Sequence, residues 1–143
     1  MKLAAYTTPQ EAEAAFYEAF QSADLEAMMG VWADDEDIVC VHPNGARQVG
    51  VDAVRESWRR IFASGQRLRF RLEEAHHLQT MVLSVHCVIE HIAVQGDDRP
   101  PAKVIATNVF QRSARGWRMV VHHASPAPAA GGREARGVTK TLH

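Results

Sequence analysis

Several histidines, one glutamate and one asparagine stand where acid–base chemistry could be done. His42 ends a short apolar run, Ile38-Val39-Cys40-Val41, just before the turn Pro43-Asn44-Gly45. A neutral imidazole at a strand end can serve as base or hydrogen-bond donor, or can satisfy itself on nearby backbone. Glu90 lies on the mixed face of the run 81–94, among apolar neighbours. Turned inward, it is desolvated, its pKa rises and it can carry a proton; turned outward, it is a surface or interface residue. Asn108 shares a strand face with Val104, Ala106 and Phe110, and an inward amide there needs a partner or a ligand because an unpaired one is costly. His122 and His123 are strand neighbours, so one of the two must face inward. Trp32 and Trp58 are candidates for pocket wall or for core.

Eight histidines also raise the question of a metal. The chain has no H-E-x-x-H and no C-x-x-C, and His76 and His77 as strand neighbours point to opposite faces. His86 and His122 could meet across strands with a third ligand, but nothing in the sequence requires it, and no metal site is expected. Without a Ser-His-Asp arrangement, a Gly-rich phosphate loop or a dinucleotide fingerprint, no cofactor is expected either.

These residues need elements to hold them. Thr8-Pro9 with Glu11 starts a first helix, whose stripe is Ala12, Ala15, Phe16, Ala19, Phe20 and Ala23. Asp24 caps a short second helix with Leu25, Met28, Met29 and Trp32 inward, and Asp34-Asp35-Glu36-Asp37 reads as a solvated turn. Short strands over 38–42 and 46–49 flank the Asn-Gly turn, and a third helix spans 51–64. Four strands follow. Residues 66–77 alternate, and so do residues 81–94, whose odd face (Met81, Leu83, Val85, Cys87, Ile89) is wholly apolar. A hairpin over 103–126 turns at Ser113-Ala114-Arg115-Gly116. The order α-α-β-β-α-β-β-β-β implies an α+β domain over 1–126, with a curved, mainly antiparallel sheet wrapped around the N-terminal helices. Residues 127–143, rich in Pro, Gly and Ala, read as a loosely attached tail.

Composition narrows the partners. A formal net charge of −1 gives no electrostatic case for nucleic acid or an anionic membrane, and no apolar run reaches the length of a transmembrane helix. The first residues lack the continuous apolar segment of a signal peptide, so a cytoplasmic location is expected. Cys40 and Cys87, both in apolar strand-like runs, are expected to be buried free thiols.

Three stretches carry a resemblance: FYEAFQSADLEAMMGVW at 16–32, VHPNGARQVGVDAVRESW at 41–58, and ATNVFQRSARGWRMVVHHASP at 106–126. They resemble the SnoaL-like branch of the nuclear transport factor 2-like superfamily, and the last hairpin is similar to that of the association domain of calcium/calmodulin-dependent kinase II. The resemblance implies a cone-shaped α+β fold, a pocket at the open end, and a homodimer through the outer face of the sheet. It implies His123 as the inward histidine. It departs from the kinase domain at Asn108, where that domain carries a pocket Arg. Ketosteroid isomerase relatives clamp an oxyanion with a Tyr and a protonated carboxylic acid. The two tyrosines here, Tyr6 and Tyr17, lie near or in the first helix, and the sequence does not place that clamp. The expected function is binding of a small organic ligand with Trp32, Trp58 and Asn108 in the pocket. His42, Glu90 and His123 would serve as acid–base groups for isomerisation, cyclisation, dehydration or hydrolysis. The alternative is a non-catalytic dimeric assembly module, for which the odd face of 81–94 supplies the interface.

Overall fold

The computed structural model describes residues 5–128; the expected tail therefore lies, from residue 129 on, outside the described residues. Helix α1 (Pro9–Ser22) starts where the Thr8 side chain accepts a hydrogen bond from the Glu11 N–H at 3.0 Å, with Pro9 in the first helical position. It ends at Ala23, which takes a left-handed φ of 52°. Asp24 then accepts from the Ala27 N–H at 3.0 Å and opens α2 (Leu25–Val31). The short hairpin β1 (Val39–Val41) and β2 (Arg47–Val49) leads into α3 (Val51–Ala63). Strands β3 (Leu68–Gln79), β4 (Leu83–Val94), β5 (Ala102–Ser113) and β6 (Gly116–Pro126) complete the chain.

The strands form one curved sheet in the order β2-β1-β6-β5-β4-β3. Neighbours are antiparallel except β1 and β6, which run parallel. The α+β class expected from element order is the class observed. Phe16, Met28, Val31, Val54, Trp58, Val88, Phe110 and Met119 are fully buried in a single core. Burying side chains of this size stabilises the fold by roughly 1.5–3 kcal/mol each. Among the described residues no helix is long and apolar enough to cross a membrane.

Two β-bulges decide which side chains face that core. Between β5 and β6 the register steps from Val109↔Val121 to Phe110↔Met119, which leaves Val120 as an extra residue. A bulge inverts the alternation beyond it. Met119 therefore faces inward with His122 and Ala124, not with Val121 and His123. The inward histidine is His122, 1% exposed, and the expectation of an inward His123 is corrected: His123 is exposed on the convex face. Between β3 and β4 the register shifts between Glu73 and His76, and this turns His77 to the side of His86.

Along β4 the even residues Ser84, His86, Val88 and Glu90 are buried. The odd residues face outward, with Val85 and Ile89 half-buried and Leu83 and Cys87 exposed. Both cysteines are free, but only Cys40 is buried; Cys87 follows the outward parity of its strand, against expectation. With Ile105, Val109 and Val121, half-buried on the neighbouring strands, the odd residues give the convex face a markedly apolar character.

Gly116 fixes the start of β6. Its φ is +90°, and an added Cβ would stand 2.6 Å from the Tyr6 carbonyl oxygen. That same carbonyl accepts from the Trp117 N–H at 2.8 Å, so neither backbone can retreat without losing the bond. Gly116→Ala is expected to destabilise the fold by at least about 2 kcal/mol, read as a lower urea midpoint; an unchanged midpoint would show the contact to be slack.

Candidate active site

The concave face carries a row of polar groups, one per strand. Cys40, His122, Asn108, His86 and His77 are successive register partners across β1, β6, β5, β4 and β3. Helix α1 packs over β3, β5 and β6 and brings Glu13 and Tyr17, one turn apart, down onto this row. Neither residue belongs to the apolar stripe that signals the helix; they border it.

Asn108 joins the two layers. Its Oδ1 stands 2.6 Å from His122 Nδ1. Its Nδ2 donates to Glu13 Oε2 and to the Tyr17 hydroxyl oxygen, both at 3.0 Å. A carboxylate can only accept, so the amide nitrogen must face Glu13 and the amide oxygen must face His122. His122 Nδ1 then carries the hydrogen. Burial holds His122 neutral, its pKa lowered to about 3.

Tyr17 accepts from Asn108 and donates to Glu90 Oε2 at 2.5 Å, a short bond between buried partners. Desolvation raises the Glu90 carboxyl from the ordinary 4.5 to about 7; the Tyr17 bond opposes that rise, and the charge of Glu13 adds to it. Burial, together with Glu90, holds the Tyr17 hydroxyl well above its usual range. A carboxyl poised near neutrality can accept or donate a proton at physiological pH. The Tyr17–Glu90 pair sets a hydroxyl donor against a carboxyl raised towards neutrality. The sequence does not place that pair, because Tyr17 and Glu90 lie 73 residues apart and meet only through the helix–sheet packing.

His42 sits beside this network. Its ring meets Trp58 edge-on at 4.7 Å and lies 6.4 Å from the His122 ring. The Ser57 hydroxyl donates its one hydrogen to the Val54 carbonyl at 2.7 Å, so His42 Nε2, 3.2 Å from Ser57 Oγ, is the donor in that contact. Burial lowers the His42 pKa to about 4. Beneath it, burial pushes the Cys40 thiol up to about 12, which keeps it protonated.

The expected site residues thus divide. Glu90, Asn108 and His42 lie on or beside the concave network. Trp58 is fully buried core, packed on Phe16 and Phe20. Trp32 lines a separate cleft of about 620 Å³ with Arg118 and Gln111. His123 is on the opposite face. Glu13, Tyr17, His86 and His122 complete the network and were not among the expected site residues.

A curved sheet with helices over its concave face defines a cystatin-like α+β fold of the nuclear transport factor 2-like class. Residues 10–130 match the SnoaL-like domain, and the chain belongs to that family. A Thiobacillus denitrificans protein described as a calcium/calmodulin-dependent protein kinase type II association domain is 40% identical, with a TM-score of 0.82 over 87% of this chain and 99% of that one. A Streptomyces avermitilis protein described as a dehydratase of the NTF2-like family is 33% identical, with a TM-score of 0.75 over 82% of this chain and 92% of that one. The F-box protein SKIP8 of Arabidopsis thaliana is 28% identical over 110 residues, 77% of this chain and 46% of that protein. The chain therefore spans about half the length of that curated relative.

The buried groups give opposite pH dependences. Glu90, raised in the folded state, contributes stability that is present below pH 4.5 and lost as pH rises through about 7. His42 and His122, lowered in the folded state, contribute stability that is present above pH 6.5 and lost as pH falls towards 4 and 3. Glu90→Gln keeps an acceptor for Tyr17 without the buried charge. It should exceed the parent by about 3 kcal/mol at pH 8 and match it at pH 4.5, in urea titrations at the two values. A variant no more stable than the parent at pH 8 would mean that Glu90 ionises without penalty.

Proposed function

We propose that the chain binds a small organic molecule on the concave side of its sheet and moves a proton on it with Glu90, assisted by Tyr17. The observation that carries this reading is the buried Tyr17–Glu90 pair, with its short bond and a carboxyl raised to about 7. The family supports it at a coarser level, since SnoaL-like and NTF2-like proteins include small-molecule binders and some isomerases and dehydratases. In this reading Glu90 takes the proton from carbon or oxygen, and the Tyr17 hydroxyl hydrogen-bonds the oxygen on which negative charge develops. Asn108 and His122 hold Tyr17 in place. A ligand would have to displace one bond of the network, because the groups already satisfy one another. The free thiols of Cys40 and Cys87 fit a reducing, cytoplasmic location.

A second reading has its own support. The relative at 40% identity is described as an association domain, and the convex face of this sheet presents Val85, Ile89, Ile105 and Val109 to solvent. A homodimer through that face would cover them, with or without catalysis inside.

Native mass spectrometry addresses both readings. A dimer that carries an organic molecule, lost on denaturation, supports the first, and turnover of that molecule should fall at least about 100-fold in Tyr17→Phe and Glu90→Gln, both folded at pH 6. Unchanged turnover in both variants would remove the proton-transfer role. Val85→Asp should convert the dimer to a folded monomer; a variant that stays dimeric would place the interface elsewhere.

A further inference from the structure

At its far end the concave network holds one buried nitrogen that hydrogen bonding does not satisfy. Glu13 Oε2 lies 3.1 Å from His86 Nδ1. His86 is fully buried, yet its Nδ1 has no aligned hydrogen-bond partner. Its other nitrogen is engaged: Nε2 is 2.9 Å from the Ser84 hydroxyl, which donates to Gln79 Oε1 at 3.4 Å. The Ser84 oxygen therefore accepts from His86 Nε2, and in that tautomer Nδ1 has no hydrogen to give the carboxylate oxygen beside it. Two acceptors at that distance repel unless a cation lies between them. His77, the register partner of His86, stacks on it with ring centroids 3.9 Å apart and planes 20° off parallel. One ligand atom from each of Glu13, His77 and His86 falls within 4.8 Å of the others.

We propose that Glu13, His77 and His86 bind a divalent transition-metal ion of the zinc class. Tetrahedral zinc holds its nitrogen and oxygen ligands at roughly 2.0–2.2 Å, which sets neighbouring ligand atoms about 3.4 Å apart. The Glu13–His86 pair already has nearly this spacing. His77 is exposed on the edge strand, so its ring can turn to close the set, and it leaves the ion a path in from solvent. Two histidines and one glutamate make a three-ligand set with a fourth position open to water. Outer support is in place: Ser84 fixes the His86 tautomer and Asn108 orients Glu13. No local sequence motif marks the site, because its ligands come from α1, β3 and β4. The bulge that turns His77 inward completes it.

The site goes beyond the acid–base reading and stands whether or not Glu90 transfers a proton. The test is calorimetric titration of Zn²⁺ into the untagged, chelator-treated full chain. One equivalent should bind. His77→Ala, an exposed position, should weaken binding at least tenfold while the melting temperature of the metal-free protein is kept, and the buried His86→Gln should weaken binding as much. His76→Ala, one residue along on the convex face, and Glu90→Gln should both stay within twofold of the parent. Co²⁺ should give the intense visible absorption of a four-coordinate site, and lose it in His77→Ala. No saturable zinc binding, or equal weakening by His76→Ala and His77→Ala, would overturn the proposal. An inert Glu90→Gln in turnover alongside intact zinc binding would remove the acid–base reading and leave the metal site standing.

Discussion

The amide of Asn108 fixes how the first helix meets the sheet. It is fully buried, and each of its polar atoms has a partner: His122 on the neighbouring strand, Glu13 and Tyr17 on α1. A buried amide left open costs about 1–3 kcal/mol, so the helix cannot slide or rotate without breaking several bonds together. Apolar packing of Phe16 and Trp58 brings the layers into contact but would tolerate small shifts. The amide sets the register. Its orientation also determines the tautomer of His122 and the direction of the Tyr17 hydroxyl, and through Tyr17 it reaches Glu90.

The interior holds two carboxyls, Glu13 and Glu90, within one hydrogen-bonded network. They are treated differently by their surroundings. Glu13 meets an amide hydrogen and sits beside a histidine nitrogen, at the end of the network nearer solvent. Among the described residues Glu90 hydrogen-bonds only to the Tyr17 hydroxyl, and it is otherwise enclosed. Two like groups of one network thus sit in unlike environments.

Much of this was legible in the sequence. The helix caps at Thr8 and Asp24, the Asn-Gly turn and the final hairpin follow from local chemistry, and the elements form where that chemistry places them. The family was legible too, from the residues around Trp32, Gly50 and Gly116. The site was legible only in part. Glu90 and Asn108 stand out because a polar side chain on an apolar strand is conspicuous. The histidine pairs could not be resolved by alternation. In both His76-His77 and His122-His123, a bulge just before the pair inverts the parity and selects the histidine that simple alternation from the start of the strand would send outward. Glu13 and Tyr17 were hidden for another reason. On an amphipathic helix, residues at the border of the apolar stripe look like ordinary surface, and only the partner layer shows that the border is covered.

The parallel pairing of β1 with β6 bears on how the chain comes to be folded as it is made. Cys40 pairs with His122, so the first strand of the sheet finds its only long neighbour among the last residues of the domain. Until β6 has emerged from the ribosome, the hairpin β1–β2 has no longer strand to join, and the core around Phe16 and Trp58 lacks the layer that β6 supplies through Met119 and His122. The nascent amino-terminal half is therefore a set of amphipathic helices awaiting a template. Closure of the domain is a late, non-local event of the kind that folds slowly and exposes apolar surface meanwhile.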